Sequence, residues 1–450
     1  MTELPRGWIE ASLGELAVNR DRDRVPVNAK ERSTRGGDVP YYGAAGQVGW
    51  IDRPLFDETL LLLGEDGVQF FDADKTKAYM ISGPSWVNNH AHVLGECVGA
   101  DLRYLMHYLN QFDYYGYANG TTRLKLTRSS MDEIPVRIAP SAEQDRIAIA
   151  IEEAFSKVDA GDAGLRAVRQ LLRRMRDAVL AVAVTGRLVP QDPSDTPANK
   201  LLAGLGIESA SDDDLPRGWA PVRVGDAANV GSGTTPKRGR TEYWSEGTIP
   251  WVTSGSLNAG VVSEATEFVT DLALRETSLR MWPPGTMLVA MYGEGKTRGR
   301  CAELALAATC NQACAAIELH GALAGYRRFL RLHFDANYSA NRRLAAGGVQ
   351  PNLSGALIKE MVITFPPAAE SDRIVAEVDR QFSFLDACER AVEAGLARSA
   401  ATRRSVLKAA FEGRLVPQDP SDEPASVLLE RIRAERAAAP KAARRSRRTA

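Results

Sequence analysis

One stretch constrains the fold more than any other: residues 140–189, PSAEQDRIAIAIEEAFSKVDAGDAGLRAVRQLLRRMRDAVLAVAVTGRLV. Its apolar or small residues fall at Ile147, Ile151, Ala154, Val158, Gly161, Leu165, Val168, Leu172, Met175, Val179 and Val182. The steps alternate four and three, which is the ~3.5-residue period of a coiled-coil seam. A helix of roughly 43 residues, rising about 1.5 Å each, is on the order of 65 Å long. Such a helix cannot bury its stripe on itself and requires a partner of similar length.

The chain supplies that partner through an internal repeat. Leu4-Pro-Arg-Gly-Trp8 recurs as Leu215-Pro-Arg-Gly-Trp219, and Gly186-Arg-Leu-Val-Pro-Gln-Asp-Pro-Ser-Asp195 recurs letter for letter at Gly413–Asp422. The helix start Ala142-Glu-Gln-Asp-Arg-Ile147 returns as Ala369-Glu-Ser-Asp-Arg-Ile374. The second copy of the seam keeps Ile374, Val378, Leu385, Cys388 and Val392 but weakens at Gly395–Thr402, where small residues permit close helix approach. Each copy ends with Gly and then Pro, as helix stops do.

The predicted order is a first region (1–139), a first helix (140–190), a linker (191–214), a second region (215–366), a second helix (367–416) and a C-terminal segment (417–450) with a basic disordered tail. The copies lie further apart at the helices than at the LPRGW motifs, so the second region is the longer one. Two similar frames therefore carry two dissimilar regions. Short apolar runs at Thr59–Leu63, Tyr79–Ile81, His92–Leu94, Met287–Met291 and Ala313–Ile317 read as strands, and 101–112 and 324–335 as helices.

The composition, 44% apolar and 25% charged, is that of a globular chain rather than a disordered one. A net charge of −1 excludes a global basic field, so nucleic-acid binding must come from local patches. Five scattered cysteines (Cys97, Cys301, Cys310, Cys314, Cys388) argue against a disulfide framework, and Cys310 and Cys314 lack zinc-type neighbours. His90 and His92 read as structural or hydrogen-bonding residues rather than a metal pair, so no metal site is expected. No run is long enough to cross a membrane and MTELPRGW does not read as a signal peptide, so the chain is expected in the cytoplasm, away from membranes.

Ala290-Met-Tyr-Gly-Glu-Gly-Lys296-Thr297 fits the loose phosphate-loop pattern, with Ala in place of the first Gly. The residues after Thr297 do not read as a helix, and a Gly-rich turn carrying Lys296, Arg298 and Arg300 towards a nucleic-acid phosphate is the better reading. No catalytic constellation stands out, including the Asn/Asp-Pro-Pro-aromatic motif of amino-methylating enzymes. The element common to both regions is the residue set for reading base edges, in which Asn and Gln suit adenine and Arg suits guanine. The first region offers Tyr42, Asn88, Asn89, His90, Thr121, Thr122, Arg123 and Lys125. The second offers Thr235, Lys237, Arg238, Tyr243, Trp244, Lys296, Arg298, Asn311, Gln312, Gln350 and Asn352.

At these residues the chain resembles the specificity (S) subunits of type I restriction-modification systems. The resemblance rests on Tyr42-Gly43, Gly64-Glu-Asp-Gly67, Val87-Asn-Asn-His-Ala91 and Gly120-Thr-Thr122 in the first half. In the second half it rests on Thr235-Pro236, Glu242-Tyr-Trp244, Ile249-Pro-Trp-Val252, Thr309-Cys-Asn-Gln-Ala313 and Gly348–Ser354, and each half ends in a Pro-x-x-Glu-x-x-Arg-Ile helix start. It implies an α+β chain with two mixed α/β target-recognition domains (1–139 and 215–366), separated by two long antiparallel coiled-coil helices in an internal pseudo-twofold repeat.

It also implies a non-catalytic subunit. Each domain would read half of a bipartite site in double-stranded DNA. The helices would set the spacer and dock two methyltransferase (M) subunits for adenine methylation, and restriction (R) subunits would add cleavage. Helix-partner positions would be Ile147, Ile151, Val158, Leu165, Val168, Leu172, Met175, Val179, Ile374, Val378, Leu385 and Val392. S-adenosylmethionine, ATP and Mg would sit on the partner subunits and none on this chain. Two alternatives stay open: a specificity subunit of a methylation-only or type II-like fused system, and, from another class, a P-loop nucleotide-binding enzyme.

Overall fold

The computed structural model describes residues 3–96, 99–121, 123–209, 214–292, 297–344 and 353–438, without the side chains of 343 and 344. The chain forms two compact units that do not follow chain order. One is Met1–Arg166 with Val392–Ala450, and the other is Ala167–Ala391. Both long helices, Ser141–Ala183 and Ala368–Phe411, contribute to both units.

In the first unit, strands Val18–Asn19, Ala91–Gly95, Leu60–Gly64 and Ala78–Ile81 form an antiparallel sheet. Leu60–Leu63 are all fully buried, as a central strand covered on both faces requires. A second sheet orders Gly46–Ile51, Val39–Gly43, Pro84–Val87 and Phe56–Asp57, with a parallel central pair. Ile9–Ser12 pairs with Pro135–Ile138 and brings the two ends of the region together. Helix Leu102–Gln111 starts at Asp101, whose side chain accepts from the Arg103 amide.

The second unit follows a related plan with a five-stranded and a three-stranded sheet. Ala228–Ser232, Cys314–Leu319, Met287–Ala290, Cys301–Leu304 and Val261–Val262 form one sheet, and Glu267–Val269, Ile249–Val252 and Thr309–Cys310 another. Ala220–Arg223 pairs with Val362–Phe365 as the matching closure. A helix at Arg327–Ala336 corresponds to Leu102–Gln111.

Within each unit the two long helices run antiparallel. In the first unit, Leu165 meets Gly395, Asp162 and Asp159 pair with Arg403, and Ile147 and Ile151 share a core with Leu407, Ala410 and Phe411. In the second, Arg176 pairs with Asp386, and Val179 and Ala183 pack with Ile374, Val375 and Val378. The seam differs in detail from the 3.5-residue pattern. Ile147, Ile151, Leu172, Val179, Ile374, Val378, Leu385 and Val392 are buried, and Val158 and Leu165 half-buried, but Gly161, Val168 and Met175 are exposed. Their neighbours Asp162 and Arg176 turn inward instead, where ion pairs capture them.

Each LPRGW segment docks onto the segment just after a long helix, and the pairing crosses the repeat. Gly413–Asp422 serves Leu4–Trp8, while Gly186–Asp195 serves Leu215–Trp219. In the first unit Trp8 Nε1 donates to Glu143 (3.1 Å), Arg146 pairs with Asp422 (2.5 Å) and the Ala425 amide donates to the Gly7 carbonyl (2.9 Å). In the second, Trp219 Nε1 donates to Glu370 (3.1 Å), Arg373 pairs with Asp195 (2.5 Å) and the Ala198 amide donates to the Gly218 carbonyl (2.8 Å). Gly186 and Gly413 sit at φ of 67° and 68°, the left-handed position after a helix that favours glycine.

Two helices lie where the sequence reads as linker and C-terminal segment. Ala198–Gly204 buries Ala198 and Leu202 in the second unit, and Ala425–Ala438 buries Leu428, Leu429 and Ile432 in the first. The tail beyond 438 lies outside the described residues. Among the described residues, no helix is long and apolar enough to cross a membrane.

Candidate nucleic-acid interface

The two regions converge on one local device. In the first, strand residues Tyr41 and Tyr42 run parallel to Trp86 and Val87, and the Asn88 amide continues the ladder to the Tyr42 carbonyl (3.0 Å). The Asn88 side chain then accepts from the His90 amide (2.8 Å), forming an Asx turn with Asn89 exposed at its tip. In the second region Trp251 and Val252 run parallel to Thr309 and Cys310, and the Asn311 amide donates to the Val252 carbonyl (2.9 Å). Asn311 accepts from the Ala313 amide (3.2 Å), and Gln312 is the exposed tip. Asn88 and Asn311 therefore shape the turns, while the amides of Asn89 and Gln312 are presented outward.

In the first region the turn at 88–90 is knitted to two others. His90 Nδ1 lies 2.9 Å from Asp66, and Arg123 donates to the same carboxylate (2.5 Å). Lys125 pairs with Glu65 (3.0 Å), whose other partner is Arg24 (2.9 Å). Burial works to raise the Glu65 carboxyl, but Arg24 and Lys125 together hold it below the ordinary carboxylate range. Tyr42 stands beside Tyr79, whose hydroxyl donates to the Gly43 carbonyl (2.5 Å). Thr121 is exposed on the same loop as Arg123, and Thr122 lies outside the described residues. Tyr42, Asn88, Asn89, His90, Arg123 and Lys125 thus come together. His92, by contrast, is structural: its ring nitrogens meet Asp21 (2.7 Å) and the Leu126 carbonyl (2.9 Å), and it is fully buried.

The second region assembles a different surface on the same turn. Arg238 lies over the rings of Trp244 (4.0 Å) and Trp251 (4.8 Å) and pairs with Glu267. Trp244 Nε1 donates to the Lys237 carbonyl (3.2 Å), and the Thr235 hydroxyl donates to Gln312. A Cβ on Gly233 would meet the Cys310 and Asn311 carbonyls at 2.2 Å, so only glycine lets this loop approach the turn. Tyr243 stands behind, bonded to Glu276 (3.0 Å) under Arg240. Arg298 belongs to another cluster, where Arg342 donates to its carbonyl (3.1 Å). Lys296, Gln350 and Asn352 lie outside the described residues.

Sequence reasoning quoted Glu65 and Asp66 only within a family motif and missed Glu267 and all three ion pairs. Glu65, Asp66 and Glu267 hold Lys125, Arg123 and Arg238 in place, so a phosphate must displace or share an existing ion pair. No sequence signal marks these pairings, because the partners are far apart in the chain. Residues 293–296 of the loose phosphate-loop pattern lie outside the described residues. Downstream of it the chain forms a strand, Cys301–Leu304, paired antiparallel with Met287–Ala290. Among the described residues, no group of three or more His, Cys, Asp or Glu side chains could hold a metal ion.

Comparison with known proteins agrees with this architecture. The family described as "Type I restriction modification DNA specificity domain" matches residues 5–160 and 216–394. The type I restriction enzyme EcoDI specificity subunit of Escherichia coli is 24% identical over 471 aligned residues, covering 97% of each chain. The EcoKI specificity subunit of E. coli K12 is 26% identical over 69% of this chain and 66% of its own. A solved chain from work on the assembly and conformational transition of the type I R-M system covers 92% of this chain and 100% of that one, with a TM-score of 0.62. Its 16% identity makes that likeness one of fold.

Proposed function

Because the chain belongs to the type I restriction-modification DNA specificity family, we propose that it is the non-catalytic DNA-recognition subunit of such a complex, and that each region reads one half of a bipartite site in double-stranded DNA. The carrying observation is the shared turn. The same Asx frame presents Asn89 among His90, Arg123 and Lys125 in one unit, and Gln312 among Thr235, Arg238 and Trp244 in the other. Exposed amides and cations at a turn tip are the groups that bond base edges and phosphates. One frame with two chemistries suits two unlike half-sites.

The long helices set the spacer between the half-sites and dock two methyltransferase subunits, which methylate adenine. Restriction subunits add cleavage. S-adenosylmethionine, ATP and Mg belong to those partners. Support for shared DNA contacts comes from the net charge of −1 and from the carboxylates that already engage Arg123, Lys125 and Arg238. Cations already held by carboxylates release fewer counterions, so such a site gains from partners that supply phosphate contacts.

The test exchanges residues 4–138 for the first domain of another family member and maps adenine methylation in the host genome. One half of the methylated motif should change while the other half and the spacer stay as they were. A change in both halves would refute independent readers.

A further inference from the structure

In the second unit, one side of the helix pair is covered and the other is open. Leu180, Val375 and Phe382 pack on the covered side with Phe329 and Leu332 of helix Arg327–Ala336. The open side carries Val168, Leu171, Met175 and Phe384, which are 43%, 55%, 41% and 65% exposed. Leu171 precedes the buried Leu172 by one residue, as Phe384 precedes the buried Leu385. In an antiparallel pair, equal angular offsets from the seam place residues on the same side, so all four share one face. Ala167, Ala178, Ala387 and Ala391 are also exposed on these segments and let another backbone approach closely.

The repeat lacks this face in its other copy. Aligning Gly186-Arg-Leu-Val with Gly413-Arg-Leu-Val puts Val168, Leu171 and Met175 opposite Gly395, Arg398 and Thr402, and Phe384 opposite Lys157. Large apolar groups in one unit are thus replaced by Gly, Thr and two cations in the other. Elsewhere the copies match closely, down to the Trp–Glu and Arg–Asp latches.

We propose that the two methyltransferase-docking faces are inequivalent. The Val168–Leu171–Met175–Phe384 face is the anchor for one methyltransferase subunit, taking the apolar stripe of a partner helix with a carboxylate set against Arg174. Arg174 is exposed and has no ion-pair partner among the described residues. This rests on the docking reading above. A second copy of this chain is the poorer occupant. The face is roughly 15 Å long and two helices wide, on the order of 300 Å². That falls well short of the ~800 Å² per partner of a stable complex. A methyltransferase subunit that also contacts the DNA beside the domain has the further surface required.

The test titrates the full-length chain with its cognate methyltransferase subunit and resolves the steps by native mass spectrometry. The first subunit should bind about tenfold or more tightly than the second. The double variant Leu171→Glu, Phe384→Glu should lose the tight step and keep the weak one, with an unchanged melting temperature because both side chains are exposed. Lys157→Phe with Arg398→Leu and Thr402→Met should bring the second step to within a few-fold of the first. Two equal steps in the unaltered chain, or a tight step that survives the double variant, overturn the inequivalence and leave the docking reading standing. Absence of any methyltransferase binding overturns both. Self-association that Leu171→Glu abolishes assigns the face to a second copy and overturns the proposal.

Discussion

His107 lies on helix Leu102–Gln111 and His333 on helix Arg327–Ala336. His107 packs edge-on to Phe155, with ring centroids 5.8 Å apart, and its Nε2 has no hydrogen-bond partner among the described residues. The Nδ1 of His333 is likewise without one. Burial pushes both down from 6.5 to about 4, so both are neutral in the folded chain at neutral pH. Between about pH 6.5 and 4 the unfolded chain takes up protons that the folded one does not. Folding stability is therefore present at neutral pH and lost as pH falls through that window, by about 2 kcal/mol per histidine at pH 5. Burial raises the Glu143 and Glu370 carboxyls above their ordinary range and acts in the opposite direction. Melting temperatures at pH 7 and pH 5 should show a clear acid loss, and His107→Met and His333→Met should each recover part of it. An acid loss unchanged in both variants would assign it to other groups.

The amides of the candidate site show what residue type alone can and cannot tell. Asn88, Asn89, Asn311 and Gln312 are equivalent candidates by chemistry. Only the hydrogen bonds of the Asx turns divide them into two framing residues and two presented ones.

At the scale of elements, the long helices were legible because their periodicity is local. Their facing residues were legible only in part. A strict 3.5-residue stripe drifts around a straight helix by about 20° per heptad, and the ion pairs of Asp162 and Arg176 select the positions beside Gly161 and Met175. The glycines separate the two effects. Gly161 has nothing within 4 Å of a Cβ position, while at Gly395 a Cβ would meet Leu165 Cδ1 at 2.9 Å. Gly161→Ala should stabilise the chain by about 0.5–1 kcal/mol through backbone entropy. Gly395→Leu should destabilise it by about 1–3 kcal/mol through overpacking. Urea denaturation of both variants checks this, and equal effects would mean that Gly395 is not a packing position. The helices Ala198–Gly204 and Ala425–Ala438 escaped notice because they are flanked by Pro-rich segments, and they bury their apolar residues only against distant parts of the chain.

At the scale of the molecule, the helices have matching lengths of 43 and 44 residues. If they set the distance between half-sites, inserting seven residues into both adds about 10 Å, or about three base pairs of spacer. Methylation mapping should then return the same two half-sites with a longer gap. The same spacer, or altered half-sites, would sink the ruler role.

The sequence by itself determined the repeat, the two long helices, the unlike regions between them and the family, because identity, periodicity and motif order are properties of neighbouring residues. Only the tertiary structure decided which copy of Gly-Arg-Leu-Val-Pro-Gln-Asp-Pro-Ser-Asp secures which Leu-Pro-Arg-Gly-Trp segment, which cations the carboxylates hold, and which side of a helix pair stays open. Those outcomes depend on burial and charge pairing between residues distant in the chain, as with Arg146 and Asp422, whose pairing at 2.5 Å no local pattern announces.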